Sequence, residues 1–333
     1  MKTQPLLLST SPFLKDATST PFIMWQVVFT LVPVVLAATY YFGISALLVT
    51  GACVAGAILT EWVFTQRTIR DGSAMITGIL LALTLPPGIP LWMAFVGGVA
   101  SIGLGKLIFG GIGYNVFNPA LVGRAFLQAA FPVSLTTWSP QGNFSGFWEV
   151  RGANFALPFM TSTGIDATTA ATPLAMMKWG NQPTGMMELF LGNTAGSLGE
   201  TCAVVILMGG LYLAVRNLFN WRIPVSIFAT VFILASVLHL LNPEAFPPAI
   251  FHLLSGGLVL GAVFMATDMV TSPVTPLGCW IFGIGIGILV IVIREFGGLP
   301  EGVMYSILLM NAATPIINRL TQPRIYGAVK ETQ

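Results

Sequence analysis

Charge is what this chain has least of. Of its 333 residues only 8% are Asp, Glu, Lys or Arg, while 55% are hydrophobic, and mean hydropathy is +0.84. A soluble domain carries about 25% charged residues. A buried core cannot conceal so large a deficit, so the class is a polytopic membrane protein surrounded by lipid. The net charge of +2 gives no footing for a nucleic-acid partner. Cysteine is also scarce: Cys53, Cys202 and Cys279 lie in separate apolar stretches with no C-x-x-C spacing. That argues against a disulfide framework and against an iron–sulfur site made by this chain alone. His239 and His252 are isolated within apolar helices, so no metal site is expected. No dinucleotide fingerprint is visible. Met1 to Ser19 is polar, with Lys2 and Lys15, and the apolar run after it is too long for a signal-peptide core.

What is present is a series of long apolar runs. A bilayer core needs roughly 20 apolar residues per helix. From Ala17 to Thr60 there is no charged residue, enough for helices over 22–42 and 44–63, divided near Gly43. Ser73 to Leu85 is a short apolar segment ended by Pro86-Pro87-Gly88-Ile89-Pro90. Runs over 91–108 and 118–130 follow, the second carrying Arg124. After residue 199 the pattern resumes over 200–215, 223–241, 249–267, 277–293 and 302–318. This predicts an all-α protein of ten spans, five on either side of a long mixed segment.

The spacing also predicts two related halves. Trp92 lies fourteen positions before Lys106, and Gly110-Gly111 and Asn118-Pro-Ala follow. Trp280 lies fourteen before Arg294, and Gly297-Gly298 and Asn311-Ala-Ala follow. Each half has a short, Pro-broken segment just before this block, over 73–90 and 258–276. An odd number of spans per half inverts the second half, and paired broken segments in inverted halves point to a central site near the midplane. The domains expected are a first membrane repeat (1–130), an extracytoplasmic loop (131–199), a second, inverted repeat (200–318) and a cytoplasmic tail (319–333). The basic residues set the orientation. With the amino terminus inside, the cytoplasmic side collects Lys2, Lys15, Arg67, Arg70, Lys106, Arg216, Arg222, Arg319, Arg324 and Lys330. Both termini are then cytoplasmic and the 131–199 loop faces outward. A loop of that length is uncommon unless it has a task.

That loop holds Asp166-Ala-Thr-Thr169-Ala-Ala171-Thr172-Pro173. A threonine hydroxyl can be esterified by phosphate, small neighbours leave room for a modifying enzyme, and Pro173 biases Thr172 toward an extended backbone. The same stretch also reads as an ordinary Ser/Thr/Ala loop. Asn115 and Asn118 sit three apart at the start of a helix; their amides could hold the edge of a flavin ring or cap the helix. Asp268, between apolar helix and Thr271-Ser272-Pro273, is a candidate for ion coupling or a cap for the next segment. Lys106, Arg124 and Arg294 are candidates to meet a phosphate, lipid or Glu295, with snorkelling to the interface the expectation for Lys106.

Several blocks resemble a known family. Asp166-x-x-Thr169-Ala170-Ala171-Thr172 is similar to the motif D-x-x-[S/T]-[G/A]-A-[T/S] recognised by extracytoplasmic flavin transferases. Gly113 to Phe126, Phe264 to Pro273 (with Met269 where Pro is more usual) and Pro300 to Asn311 resemble blocks in the D subunit of the Rnf complex and the B subunit of sodium-translocating NADH:quinone oxidoreductase. The resemblance runs over most of the chain from residue 70 onward, and length favours the Rnf type. It implies a urea-channel-like body in a bacterial inner membrane and FMN linked covalently through its phosphate to Thr172. It also implies a second, non-covalent riboflavin near Asn115 and Asn118. The complex it implies passes electrons between ferredoxin and NAD and couples this to Na+ or H+ movement. Partners would be the A, B, C and E subunits of the Rnf complex and its flavin-bearing G subunit, with a flavin transferase for maturation. The rival expectation from the architecture alone is a solute channel or transporter with no redox role.

Overall fold

In the computed structural model the chain is described at residues 19–65, 71–139, 147–148, 150–158, 171–180, 184–192, 194–200 and 203–323. Among these residues the regular structure is helical. α1 (Thr20–Phe42) starts at Ser19, whose hydroxyl accepts from the Phe22 N–H, and ends at Gly43, whose φ of 69° no side chain would favour. α2 (Ile44–Thr65) follows directly. α3 (Ser73–Leu83) is short. α4 (Leu91–Ile102) runs on into a π-helical turn, Gly103–Leu107. α5 (Pro119–Ala130) and the short α6 (Pro132–Thr136) end the first membrane series.

Two small helices, α7 (Pro173–Gly180) and α8 (Met186–Leu191), come from the mixed segment. α9 (Ala203–Val215) and α10 (Arg222–Leu241) lead to a broken stretch: α11 (Ala249–Leu254), α12 (Leu258–Leu260) and a second π-helical turn, Gly261–Met265. The stretch expected as one helix over 249–267 is broken at Ser255-Gly256-Gly257, where Gly256 takes φ 66°. α13 (Pro276–Phe296) and α14 (Val303–Leu320) complete the chain.

Four of these helices, α1, α2, α10 and α13, are long and apolar enough to cross a membrane, and α3, α4 with its π-turn and α9 are shorter apolar helices. Phe29, Leu36, Phe64, Val215 and Leu240 are largely exposed on their outer faces, as expected of side chains that meet lipid. A single apolar core joins all the long helices.

Packing falls into two similar sets. α2 lies along α4, and α10 along α13. Both contacts depend on bare backbone: a Cβ on Gly98 of α4 would strike the Cys53 carbonyl of α2, and one on Gly287 of α13 would crowd Thr230 of α10. The two sets meet where α1 packs on α9 and α14 on α5.

Candidate functional site: two cavities at opposite ends of shared helices

The first cavity forms around Thr172. Thr172 is 2% exposed and caps α7: its Oγ1 accepts from the Ala175 N–H at 3.3 Å, and its carbonyl accepts from the Met176 N–H at 2.8 Å. Pro173 occupies the first helical position, where the missing N–H is no loss. α7 is docked in two ways. Leu174 packs with Leu189 of α8 and Phe251 of α11. Lys178 reaches the end of α13, its Nζ donating to the carbonyls of Arg294 at 2.6 Å, Gly297 and Leu299 at 3.3 Å. The Arg294 carbonyl is one that the end of α13 leaves unpaired, and the other two lie just beyond it.

Thr172 shares a cavity of about 850 Å³, counted with its mouth, with Arg124, Arg294, Trp138, Tyr305 and Glu301. Arg294 is 2% exposed. Its Nη1 donates to the His252 carbonyl at 2.6 Å and its Nη2 to the Ser255 carbonyl at 3.0 Å, while its Nε has no partner. Gly256 makes this possible, since a Cβ there would press on both Leu174 and Arg294 Nη2. Arg124 pairs with Glu301, and its Nε also lacks a partner. A buried hydroxyl at a helix N-terminus, with two guanidiniums in the same cavity, is an arrangement suited to an anion. Trp138 and Tyr305 add the aromatic surface a planar ligand needs.

The second cavity, about 860 Å³ with its mouth, gathers Asn115, Asn118 and Asp268 with Lys106, Phe219 and Phe264. Asn118 caps α5 by accepting from the Ala120 N–H at 3.0 Å. Its Nδ2 donates to the Met265 carbonyl at 3.0 Å, which pins α5 to the π-turn. Capping is therefore real, yet it uses only half the capacity of the amide, leaving one donor and one acceptor. Asn115 lies in the same cavity as Asp268, and its Nδ2 donates to the Phe117 carbonyl at 3.4 Å. Asp268 accepts from the Val270 N–H at 3.4 Å and the Thr271 hydroxyl at 3.2 Å, so it organises the turn after the π-helix.

The two cavities sit at opposite ends of the same elements. α3 offers Thr77 and Leu80 to the second and is followed by Thr84 in the first; α5 offers Pro119 to the second and Arg124 to the first. Of one π-turn, Phe264 lines the second cavity and Met265 the first. At 1.5 Å per helical residue, Leu80 lies roughly 6 Å from Thr84 and Pro119 roughly 7.5 Å from Arg124 along the helix axis.

Lys106 departs from expectation. It does not snorkel: it is 4% exposed and bonds Glu61 of α2 at 2.6 Å and the Ser73 hydroxyl at 2.6 Å. The π-turn that carries it changes its heading relative to an α-helical continuation. Glu295 Oε1 lies 3.3 Å from His252 Nε2, and among the described residues no salt bridge joins Glu295 to Arg294. Asn311, aligned with Asn118 in sequence, lies in the middle of α14, 1% exposed, so the two asparagines are not positional equivalents. Asp166 and Thr169 fall outside the described residues; Ala171 is exposed beside Thr172. Sequence reasoning missed Glu301, which lines the Thr172 cavity. Glu301 lies within the Pro300 to Asn311 block, but nothing in the local pattern ties it to a loop more than a hundred positions away. Among the described residues no group of His, Cys, Asp and Glu could hold a metal ion.

The family model for NQR2, RnfD and RnfE matches residues 7–327. A relative in Clostridium ljungdahlii, the D subunit of a proton-translocating ferredoxin:NAD(+) oxidoreductase complex, is 41% identical over 96% of both chains. The D subunit of a Na(+)-translocating ferredoxin:NAD(+) oxidoreductase complex in Acetobacterium woodii is 40% identical over 98% of this chain and 96% of its own. The D subunit of an ion-translocating oxidoreductase complex in Stutzerimonas stutzeri is 39% identical over 92% and 91%. With a family model matched over nearly the whole chain and near-complete coverage on both sides, the chain belongs to the NQR2, RnfD, RnfE family.

Proposed function

We propose that this chain is the membrane flavoprotein subunit of an Rnf-type ferredoxin:NAD oxidoreductase, carrying FMN esterified to Thr172 and contributing to electron flow coupled to Na+ or H+ translocation. The observation that carries the reading is the Thr172 cavity. A nucleophilic hydroxyl lies at a helix N-terminus, with Arg124 and Arg294 lining the same space and each retaining an unpartnered Nε. A phosphodiester is a single negative charge with several acceptor oxygens, which suits that donor set. When bound, FMN would supply the redox chemistry. The chain's own share is to hold the phosphate with Arg124, Arg294 and the first turn of α7, and to wall the ring with Trp138 and Tyr305.

The Asn118 cavity is the proposed riboflavin site. It has an apolar lining from Phe219 and Phe264, and spare amide capacity on Asn118. Two cavities lined from one π-turn would suit a relay between the two sides of the membrane. In this reading the ten helical segments form two inverted halves around α3, α5 and the broken α11–α12 stretch. Both termini lie in the cytoplasm, the Thr172 loop faces outward, and Asp268 is the candidate for ion coupling. The other members of the complex, the flavin-bearing G subunit first among them, would provide the neighbouring carriers.

The test is direct. Membranes from cells that contain a flavin transferase are run on a denaturing gel and viewed unstained under ultraviolet light. A fluorescent band at this mass is expected, and Thr172→Ala should abolish it. No band in the wild type would leave the solute-channel reading ahead.

A further inference from the structure

One apolar surface belongs neither to a long span nor to a cavity. It is carried by α8, which is closed by Gly192; that glycine takes φ 84° and its N–H donates to the Glu188 carbonyl. Successive residues of a helix are turned by about 100°, and on that wheel α8 has three sides. Leu189 is buried and packs with Leu174 of α7 and Phe251 of α11. Met186, Phe190, Met187 and Leu191 follow one another around the next arc of about 140°. All four are exposed, Met187 by 70%. Glu188 falls on the remaining side and is also exposed. A helix with one residue turned inward, four apolar ones outward and its charge on the far side is suited to lie along an apolar boundary.

Its neighbours fix the height of α8 on the molecule. The Tyr41 hydroxyl, in the last turn of α1, donates to the Leu191 carbonyl at 2.8 Å, and α8 also packs on α9. At the same end of α1 the Ile44 N–H donates to the Phe147 carbonyl at 2.9 Å. That contact places Trp148, 80% exposed, beside the turn between α1 and α2. Tyr40 is exposed in the last turn of α1 as well. Tyr and Trp gather where spans leave the hydrocarbon. Three such side chains at one end of α1 mark that level, and α8 lies at it. The two helices it joins there have apolar, exposed outward faces of their own, with Leu36 on α1 and Met208 and Leu211 on α9. The arc itself offers a protein partner no charge and no strong hydrogen-bonding group to read, whereas acyl chains require neither.

We propose that α8 is an interfacial helix that lies in the plane of the leaflet at the Gly43 end of α1. Met186, Met187, Phe190 and Leu191 sit among phospholipid acyl chains, and Glu188 faces water. That leaflet is the outer one in the orientation proposed above. The shortness of α8 is no obstacle, because its contacts with α1, α9 and α11 already hold it at the membrane surface. The proposal does not depend on what Thr172 carries, but it bears on where Thr172 sits. Leu189 presses on Leu174, just past Thr172, so the membrane surface acts through α8 and α7 on the position of that residue.

The test uses the intact complex in its native membrane. Met187, Phe190 and Glu188 are replaced, one at a time, by a phenylalanine that bears a diazirine, the membranes are illuminated, and the peptide containing α8 is weighed. Light expels nitrogen from the diazirine, and the carbene inserts into whatever lies beside it. A phospholipid neighbour adds its own mass, water adds only the mass of water, and a protein neighbour gives a cross-linked pair. Phospholipid adducts are expected at the Met187 and Phe190 positions, and water adducts at the Glu188 position. Two lipid-facing positions are used so that one reads the outcome should the other variant fail to assemble. Water adducts at both would overturn the proposal by lifting α8 clear of the membrane. Cross-links from both to another subunit would overturn it by giving the arc a protein partner. Lipid adducts of equal yield at the Phe190 and Glu188 positions would also overturn it, since a helix lying in the interface has one wet side.

Discussion

Lys106 and Glu61 offer the sharpest test of how the membrane body is held together. The two side chains are 5% and 1% exposed and 2.6 Å apart. Lys106 also donates to the Ser73 hydroxyl at 2.6 Å, and Ser73 in turn donates to Asp71 at 2.8 Å. The pair thus ties α2, the start of α3 and the π-turn after α4. Were it at the surface, losing it would cost about 0–1 kcal/mol. Buried as it is, Lys106→Met leaves the Glu61 carboxylate without its ammonium in an apolar setting, and the expected loss is about 3–5 kcal/mol. At a factor of ten for each 1.4 kcal/mol, that lowers the folding equilibrium constant by roughly two to three and a half orders of magnitude. Removing both charges together, in Glu61→Leu/Lys106→Met, should restore most of the loss, because the desolvation cost disappears with the attraction. The assay is reversible unfolding by sodium dodecyl sulfate in mixed micelles, followed by tryptophan fluorescence, read as a double-mutant cycle. A single variant that loses less than about 1 kcal/mol would refute the reasoning. So would a double variant no better than the two singles added.

Other outcomes follow from single contacts. Gly256→Ala forces a φ of 66° on a residue with a Cβ and crowds Leu174 and Arg294; a loss of about 1–2 kcal/mol or more is expected from the backbone alone, with reduced fluorescence of the Thr172 band. Asn118→Asp keeps an acceptor for the Ala120 N–H but loses the donor to the Met265 carbonyl. It should therefore retain the α5 cap, while the riboflavin extracted per mole of protein falls; Asn118→Ala should lose both, the cap costing about 1 kcal/mol.

Much of the helical frame was readable because it follows from composition and period. Expected spans over 22–42, 44–63, 118–130 and 223–241 meet α1, α2, α5 and α10 within a few residues, since long apolar runs bounded by Gly, Pro or Asn leave little freedom. The break at Ser255-Gly256-Gly257 was not readable, because Gly is common in membrane helices and only the docking of Leu174 and Arg294 makes this Gly pair a turn. The fate of Lys106 was also hidden. An isolated lysine near a helix end reads as snorkelling, and the partner that overrides this, Glu61, lies 45 positions away. For the site, Asn115, Asn118 and Asp268 were picked singly, and the structure brings them into one cavity. Arg124 and Arg294 were picked as anion partners, and the structure sets them around Thr172. Glu301 stayed invisible because a lone carboxylate has no local signature; its pairing with Arg124, 177 positions away, is made only by the tertiary fold.

Thr172 itself was expected to present its hydroxyl. In the folded chain, however, the residue is 2% exposed and its Oγ1 is engaged by the Ala175 N–H. A modifying enzyme cannot reach it there, so if FMN is attached at Thr172, attachment must draw on a state in which α7 is undocked. What holds α7 down is the Leu174 contact and the Lys178 ammonium on the end of α13. A hydrogen bond from a charged donor contributes about 1.5–3 kcal/mol, so Lys178→Ala should raise the undocked population roughly tenfold or more. With purified flavin transferase and unmodified, already folded protein, the initial rate of labelling should rise by the same factor, while the final yield stays at one flavin per chain. Equal rates in the wild type and Lys178→Ala would mean that docking of α7 does not limit access, and that the hydroxyl reaches the enzyme by some other motion.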